Sequence, residues 1–369
     1  MIHLQQLTKR YGDKLAVENI SFEVDPGEVC TLIGPSGCGK TTTLRMINRL
    51  IEPTSGKITI NSQDISGIRP EKLRQSMGYA IQNVGLFPHM TVAANIAVVP
   101  ELVNWDKERI NSRIDELLQL VNLDPTQYRS KYPRHLSGGE GQRVGVARAL
   151  AADPPILLMD EPFGAVDPLT REKLQTEFLR IQRELRKTVV LVTHDLDEAI
   201  RLADRIAIME RGHLIQHDTP ENILSKPINR FVHDFVGTDR ALKRLSRISI
   251  TRYVRPSPSI NITATVDEAV DVCNQCQWVW VVDANQKLLG WIDRKNLPGA
   301  SSINNVLVSN LWEEIAVTND ATLREALSRM LGQGLKSIPV VTENGTLRGE
   351  VSLEDIEAAT AELETNDHA

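Results

Sequence analysis

The sequence predicts an α/β domain over residues 1–240, then a linker at 241–253 and a smaller α+β unit over 254–369. Three observations carry this reading. Short, wholly apolar runs alternate with amphipathic helical stretches through the first 240 residues. One of those runs enters a glycine-rich turn that opens directly onto a helix, in "LIGPSGCGKTTTLRMI". Beyond residue 254 the sequence repeats itself weakly, "ATVDEAVDVCNQC" with "WVWVVDANQKLLGWIDRKNL" aligning with "ATLREALSRMLGQG" and "SIPVVTENGTLRGEVSLEDI".

In chain order, the apolar runs at 21–33, 156–159 and 189–193 are expected as parallel strands buried on both faces, the second set off by Pro154-Pro155. Residues 108–121, 139–151 and 169–186 have the apolar spacing of helices between them. Residues 205–209 and 214–216, joined by Arg211-Gly212, read as a hairpin at the sheet edge. The stretch "RALKRLSRI" is a basic helical connector. Each repeat, about 254–298 and 311–360, reads as helix, strand, turn, strand, helix, and one copy alone buries too little core, so the two are expected to pack together.

Composition narrows the function. The four cysteines are too few and too scattered for a disulfide framework, and Cys273-x-x-Cys276 has no second pair or histidines at ligand spacing, so neither redox nor zinc chemistry is expected. The apolar runs are strand-sized and the start lacks a signal-peptide pattern, which predicts a cytosolic chain. From Val254 onward there are eight Lys/Arg against 17 Asp/Glu, a balance of −9, whereas residues 1–253 carry +3. Neither part is basic enough for a nucleic-acid binder.

Gly34-Pro35-Ser36-Gly37-Cys38-Gly39-Lys40-Thr41 matches the phosphate-loop pattern between a strand and a helix. Glycines let successive backbone N–H groups turn inward around an anion, and the helix start adds its positive dipole end. Lys40 is then placed for the terminal phosphates and the Thr41 hydroxyl for Mg²⁺. In "ILLMDEP" a buried strand ends in Asp160-Glu161: Asp160 is placed for Mg²⁺, and Glu161 to activate a water against the γ-phosphate. His194 ends the next strand, where ligands of open parallel sheets sit.

"HLSGGEGQRVGVARAL" makes the pattern specific. Leu136-Ser137-Gly138-Gly139-Glu140 resembles the signature motif of ATP-binding cassette (ABC) ATPases, and the other motifs of that family follow in order over 1–240. The resemblance implies a cassette with a helical subdomain. Within it Tyr11 stacks on adenine, residues 34–41 and Thr42 hold ATP, and Gln82 serves as the Gln-loop residue beside Thr41 and Asp160 on Mg²⁺. Glu161 and His194 act in catalysis, and Asp167 marks the D-loop. It also implies a homodimer in which Ser137, Gly138 and Gly139 of one copy meet the ATP held by the other, and integral-membrane permease subunits docked near Leu86, Phe87 and Pro88. Two departures stand out: Glu140 replaces the usual glutamine, and Val166 replaces a leucine of the D-loop.

"IQNVGLFPHMTV", "FGAVDPLTREKLQTEF" and "TDRALKRLSRI" resemble the ATPases of quaternary-amine importers, for glycine betaine, carnitine or choline, whose tails carry paired CBS regulatory domains. That resemblance implies ATP and Mg²⁺ as cofactors, a peripheral place on the cytoplasmic face of the membrane, and an extracytoplasmic solute-binding protein as an indirect partner. The alternatives are the ATPase of another importer (polyamine or amino acid) and a soluble cassette acting on nucleic acid. CBS pairs bind adenine nucleotides through a Gly-x-x-Ser/Thr-x-x-acid motif. Gly349, Ser352 and Asp355 meet that pattern, while the first repeat has Asp293 and Asn296 at the matching positions, so one nucleotide site at most is expected.

Overall fold

The computed structural model describes residues 2–81, 85–164, 166–273, 278–309 and 311–367. Two compact units divide the chain, Met1–Gly237 and Thr238–Ala369.

The centre of the first unit is a six-stranded sheet in the order His213–Asp218, Arg205–Glu210, Val29–Ile33, Thr188–Val192, Ile156–Asp160, Met77–Ala80. The last five run parallel, and His213–Asp218 closes the edge as an antiparallel hairpin partner. The strands Val29–Ile33, Ile156–Asp160 and Thr188–Val192 are buried at every residue, because helices or a second sheet cover both faces. Alternate residues feed different cores. Leu157, Met159, Val189 and Leu191 pack with the helices on one face, while Leu158, Val190 and Val192 pack with the helix Lys40–Ile47 and an antiparallel sheet on the other.

That antiparallel sheet, Lys14–Val24, Ile2–Tyr11, Ser55–Ile60, Gln63–Asp64, corrects one expectation. The apolar run at 21–33 is two strands in two sheets. Asp25-Pro26-Gly27 breaks it: proline donates no N–H to a ladder, and Gly27 turns back at φ 79°. Helices Lys107–Leu120, Gly138–Leu150 and Pro168–Leu185 stand within a residue or two of the spans expected for them. The helix Val92–Leu102 carries a fully buried Asn95 inside an otherwise apolar run. Its side chain accepts from the Phe87 N–H and donates to the Phe87, Met90 and Thr91 carbonyls, which holds the preceding loop in place.

In the second unit each repeat contributes a short parallel strand and an antiparallel hairpin. Ser259–Asn261, Trp278–Val282 and Leu288–Asp293 form one set; Val317–Thr318, Ser337–Val341 and Leu347–Ser352 form the other. The opening strands Ser259–Asn261 and Val317–Thr318 were not visible in the apolar pattern. The closing helix of the first repeat is a further correction: the 3-10 turn Arg294–Asn296 follows its hairpin where a helix was expected, and Val308–Ser309 then pairs antiparallel with Leu288–Asp293, whereas the second ends in the helix Leu353–Asp367. The two hairpin tips bond through Leu288 N–H to Gly345 and Leu347 N–H to Gln286. Trp280 and Leu288 share a core with Ile315 and Val341 of the other copy. The Trp280 indole N–H donates to the Glu350 carboxylate at 2.6 Å, and burial raises that acid's pKa. The helix Arg240–Leu245 lies in this second unit, with Leu245 and Ile250 in its core.

Candidate active site

The strand Val29–Ile33 delivers the chain into the phosphate loop, where Gly34, Gly37 and Gly39 all have positive φ (150°, 78° and 107°). At Gly34 a side chain is impossible on contact grounds as well, since a Cβ there would lie 2.0 Å from the Met209 carbonyl oxygen of a neighbouring strand. Pro35, Ser36 and Gly37 are exposed, while Cys38 is buried and its thiol pKa is raised by burial. Helix Lys40–Ile47 begins at Gly39, which brings no capping side chain, and the Lys40 N–H bonds to the Cys38 thiol beside the loop. Lys40 is buried, with Nζ donating to the Gly34 carbonyl at 2.7 Å and the Pro35 carbonyl at 3.1 Å.

Thr41 Oγ1 donates to Asp160 Oδ1 at 3.0 Å, joining the start of this helix to the tip of the strand Ile156–Asp160. Burial raises the Asp160 pKa, opposed by the Thr41 hydrogen bond and by Arg45 and Lys40 nearby. A buried carboxylate paired with a hydroxyl is a hard-oxygen set of the kind Mg²⁺ takes. Glu161, at φ 47°, turns off the strand end, and its N–H donates to the Val192 carbonyl. Its Oε2 stands 3.5 Å from His194 Nδ1. Strand order makes this meeting: Thr188–Val192 lies directly beside Ile156–Asp160, so residues just past their ends are neighbours.

The signature helix Gly138–Leu150 starts with a capping box. Ser137 Oγ accepts from the Glu140 N–H at 3.3 Å and Glu140 Oε2 accepts from the Ser137 N–H at 2.7 Å. The Tyr128 hydroxyl donates to the other oxygen of Glu140, and these bonds, Tyr128 first, hold the Glu140 pKa down. The departure from glutamine is thus an anchored charge. Ser137 is exposed and keeps its hydroxyl proton for a donor role. Asp167 caps the helix Pro168–Leu185 by accepting from the Thr170 N–H at 3.1 Å. Val166 faces Gly138, with its Cγ1 3.9 Å from where a Gly138 Cβ would stand.

The remaining candidates are spread more widely. Gln82 lies outside the described residues, as does Cys276. Tyr11 is half exposed at a strand end with Lys9 Nζ 5.1 Å above its ring. Phe87 and Pro88 are exposed, whereas Leu86 packs partly into the core. In the second repeat, Ser352 and Asp355 do meet. Asp355 Oδ2 accepts from the Ser352 N–H at 2.9 Å and hydroxyl at 2.7 Å, and Asp355 Oδ1 pairs with Arg255. Gln142 and Glu198 were missed. The buried Gln142 amide donates to the Pro162 carbonyl just after Glu161. Buried Glu198 lies on the helix after His194 with its pKa pushed up to about 8, chiefly by burial and then by Asp195. Its position three residues after Asp195 is the cap-box spacing that would have flagged it.

Comparisons with known proteins identify the family. The ABC transporter family model matches residues 17–164, and the CBS domain model matches twice, at 248–300 and 308–362. The osmoprotectant import ATP-binding protein OsmV of Salmonella typhimurium is 45% identical over 95% of this chain and 94% of its own length. The glycine betaine/carnitine/choline transport ATP-binding protein OpuCA of Bacillus subtilis is 45% identical over 95% and 94%. Among solved structures, the dimeric ATP-binding cassette MJ0796, in a post-hydrolysis state bound to ADP and Pi, superposes with a TM-score of 0.54. It is 32% identical and covers 60% of this chain and 99% of its own. With a phosphate loop, paired carboxylates, signature helix and two CBS matches in one chain, and relatives matched nearly end to end, the chain belongs to the ABC transporter family as an ATP-hydrolysing, ATP-binding subunit of its osmoprotectant-import group.

Proposed function

We propose that this chain powers import of quaternary amines of the glycine betaine, carnitine and choline class, working as two copies beneath separate permease subunits at the cytoplasmic face of the membrane. The relatives' names support the solute class, and the paired CBS matches favour it over polyamine or amino-acid importers. Among the described residues no helix is long and apolar enough to cross a membrane, which fits a peripheral subunit. The exposed Phe87 and Pro88, on a loop braced by Asn95, are the surface proposed for the permease. A solute-binding protein on the other side would act only through that permease.

One observation supports the chemistry above the rest: Thr41 on Asp160 at 3.0 Å stands next to Glu161 on His194 at 3.5 Å. The loop amides and Lys40 hold the phosphates, and Tyr11 offers a stacking face for adenine. Thr41 and Asp160, with Gln82, would hold Mg²⁺, which neutralises charge building on the phosphate oxygens. Glu161 takes a proton from water as its oxygen bonds to the γ-phosphorus; the bridging P–O bond breaks and its electrons leave with ADP. His194 braces Glu161 and lies near the γ-phosphate. Ser137, Gly138 and Gly139 of the second copy close the site from above, and Asp167 sits at the same seam.

The test is ATP hydrolysis by the chain reconstituted with its permease in proteoliposomes. Stimulation by glycine betaine, carnitine or choline, and none by spermidine or amino acids, is expected. Stimulation by a polyamine or amino acid alone would reject the solute class.

A further inference from the structure

Arg171, in the first turn of the helix Pro168–Leu185, reaches three segments of the site. Its Nε donates to the Phe163 carbonyl at 3.2 Å, its Nη2 donates to the Val166 carbonyl at 3.2 Å, and its Nη1 lies 3.8 Å from Asp195 Oδ2. Phe163 comes two residues after Glu161, Val166 belongs to the D-loop, and Asp195 directly follows His194. Asp195 is itself fastened. Its Oδ1 accepts from the Glu198 N–H at 3.1 Å, capping the helix Leu196–Leu202, and its own N–H donates to Thr193 Oγ1 at 3.0 Å. Next door in sequence, Thr170 meets the signature helix, since a Cβ on Gly139 would lie 2.6 Å from Thr170 Cγ2. One guanidinium therefore fastens the segments that carry Glu161, the D-loop and His194, at the point where the D-loop also touches the signature helix.

We propose that Arg171 is a positioning residue for hydrolysis, coupling the D-loop to the His194 segment so that Glu161 and His194 keep their mutual geometry. The inference rests on the reading of Glu161 as the base. A planar guanidinium with five N–H groups in a rigid fork can serve two carbonyls and a carboxylate at once; an ammonium on a flexible stem cannot hold that arrangement.

The test uses the full chain, with kcat, KM for ATP and thermal midpoint measured for R171Q, R171K, D195N and the R171Q/D195N pair. Asparagine retains a carbonyl oxygen for the helix cap, so D195N removes the charge without removing the cap. Each single variant should lower kcat about tenfold or more while KM changes less than about twofold, as displacement of reacting groups by a fraction of an ångström does. The double variant should be little worse than the worse single one, the mark of coupled sites. Unchanged kcat, additive losses, or a fall in activity that tracks a lowered thermal midpoint would each overturn the proposal. E161Q run in parallel separates the two readings: normal turnover there removes the base assignment, whereas an inactive E161Q beside a normal R171Q removes only the role of Arg171.

Discussion

The phosphate loop and the Ser352–Asp355 segment both set glycine and a hydroxyl residue between a strand and a helix start or at the strand's end, in the loop 34–39 in one and at Gly349 and Ser352 of the strand Leu347–Ser352 in the other, yet their helix starts are treated differently. Helix Lys40–Ile47 begins at a left-handed Gly39, which brings no capping side chain of its own. In the second repeat the cap is complete: Asp355 takes the N–H and O–H of Ser352, Ser352 Oγ takes the Asp355 N–H at 3.3 Å, and Arg255 takes the remaining carboxylate oxygen. A Cβ on Gly349 would lie 2.3 Å from the Arg255 carbonyl oxygen, so the backbone at Arg255 passes directly over that glycine. The signature helix is intermediate, capped by Glu140 but with a hydroxyl proton on Ser137 still to give. The lesson is that a helix start recognises an anion to the extent that its own side chains have left it uncapped.

The largest effects that would sharpen this contrast belong to the cassette. Glu161→Gln should retain ATP and lose about 10²–10⁴-fold in turnover, whereas Lys40→Ala should lose nucleotide affinity itself; ATPase assays beside equilibrium ATP binding separate the two. Near-normal turnover in Glu161→Gln would break the reading of the site. Ser137→Ala comes next, with a loss of about 10²-fold in hydrolysis from one missing phosphate donor and ATP binding to the isolated subunit kept.

The second-repeat turn supplies the counterpart. In a Lys40→Ala background the full chain should show no saturable binding of AMP, ADP or ATP in equilibrium dialysis. Binding that Asp355→Asn abolishes would undo the comparison, because it would mean that a fully capped turn still opens to nucleotide. Ser352→Ala should lower the stability of the second unit by about 1 kcal/mol, the usual worth of a lost cap, measured by denaturant unfolding.

The smallest effect lies beside His194. Glu198 is buried with Oε1 unbonded among the described residues, and its pKa is raised from 4.5 to about 8 by burial and by Asp195 and Glu161, against Thr193 and Arg171. A raised folded-state pKa means that stability is full below pH 4.5 and is lost as pH rises toward about 8. Glu198→Gln should therefore gain thermal midpoint over the parent as pH rises from 5 to 8, read by thermal unfolding at both pH values. A gain that shrinks with pH would show that Glu198 is charged in the folded state.

Much of the site was legible because its motifs are local. Residues 34–42, the Asp160-Glu161 pair and Ser137-Gly138-Gly139 are each contiguous in the chain, so the pattern is carried by adjacent residues. Less was legible where one short pattern fits two outcomes. The run at 21–33 looked like a single strand, since an apolar stretch does not say which sheet each half joins. The first repeat's closing segment looked helical by analogy with the second, yet Asp293 caps only a 3-10 turn through the Lys295 N–H.

The sequence by itself determined that a glycine-rich loop with a lysine and threonines joins a strand to a helix, that the tail is a duplicated unit, and that the apolar runs are too short for a membrane helix, because these follow from residue type and spacing along the chain. Only the tertiary structure decided that His194 meets Glu161, that Thr41 meets Asp160, that Arg171 bridges three segments, and that Ser352 and Asp355 bond to each other and to Arg255. Most of those contacts join residues far apart in the chain. Strand order and close packing bring such partners together, and a hydrogen bond or ion pair depends on distances of a few ångströms that linear spacing does not encode.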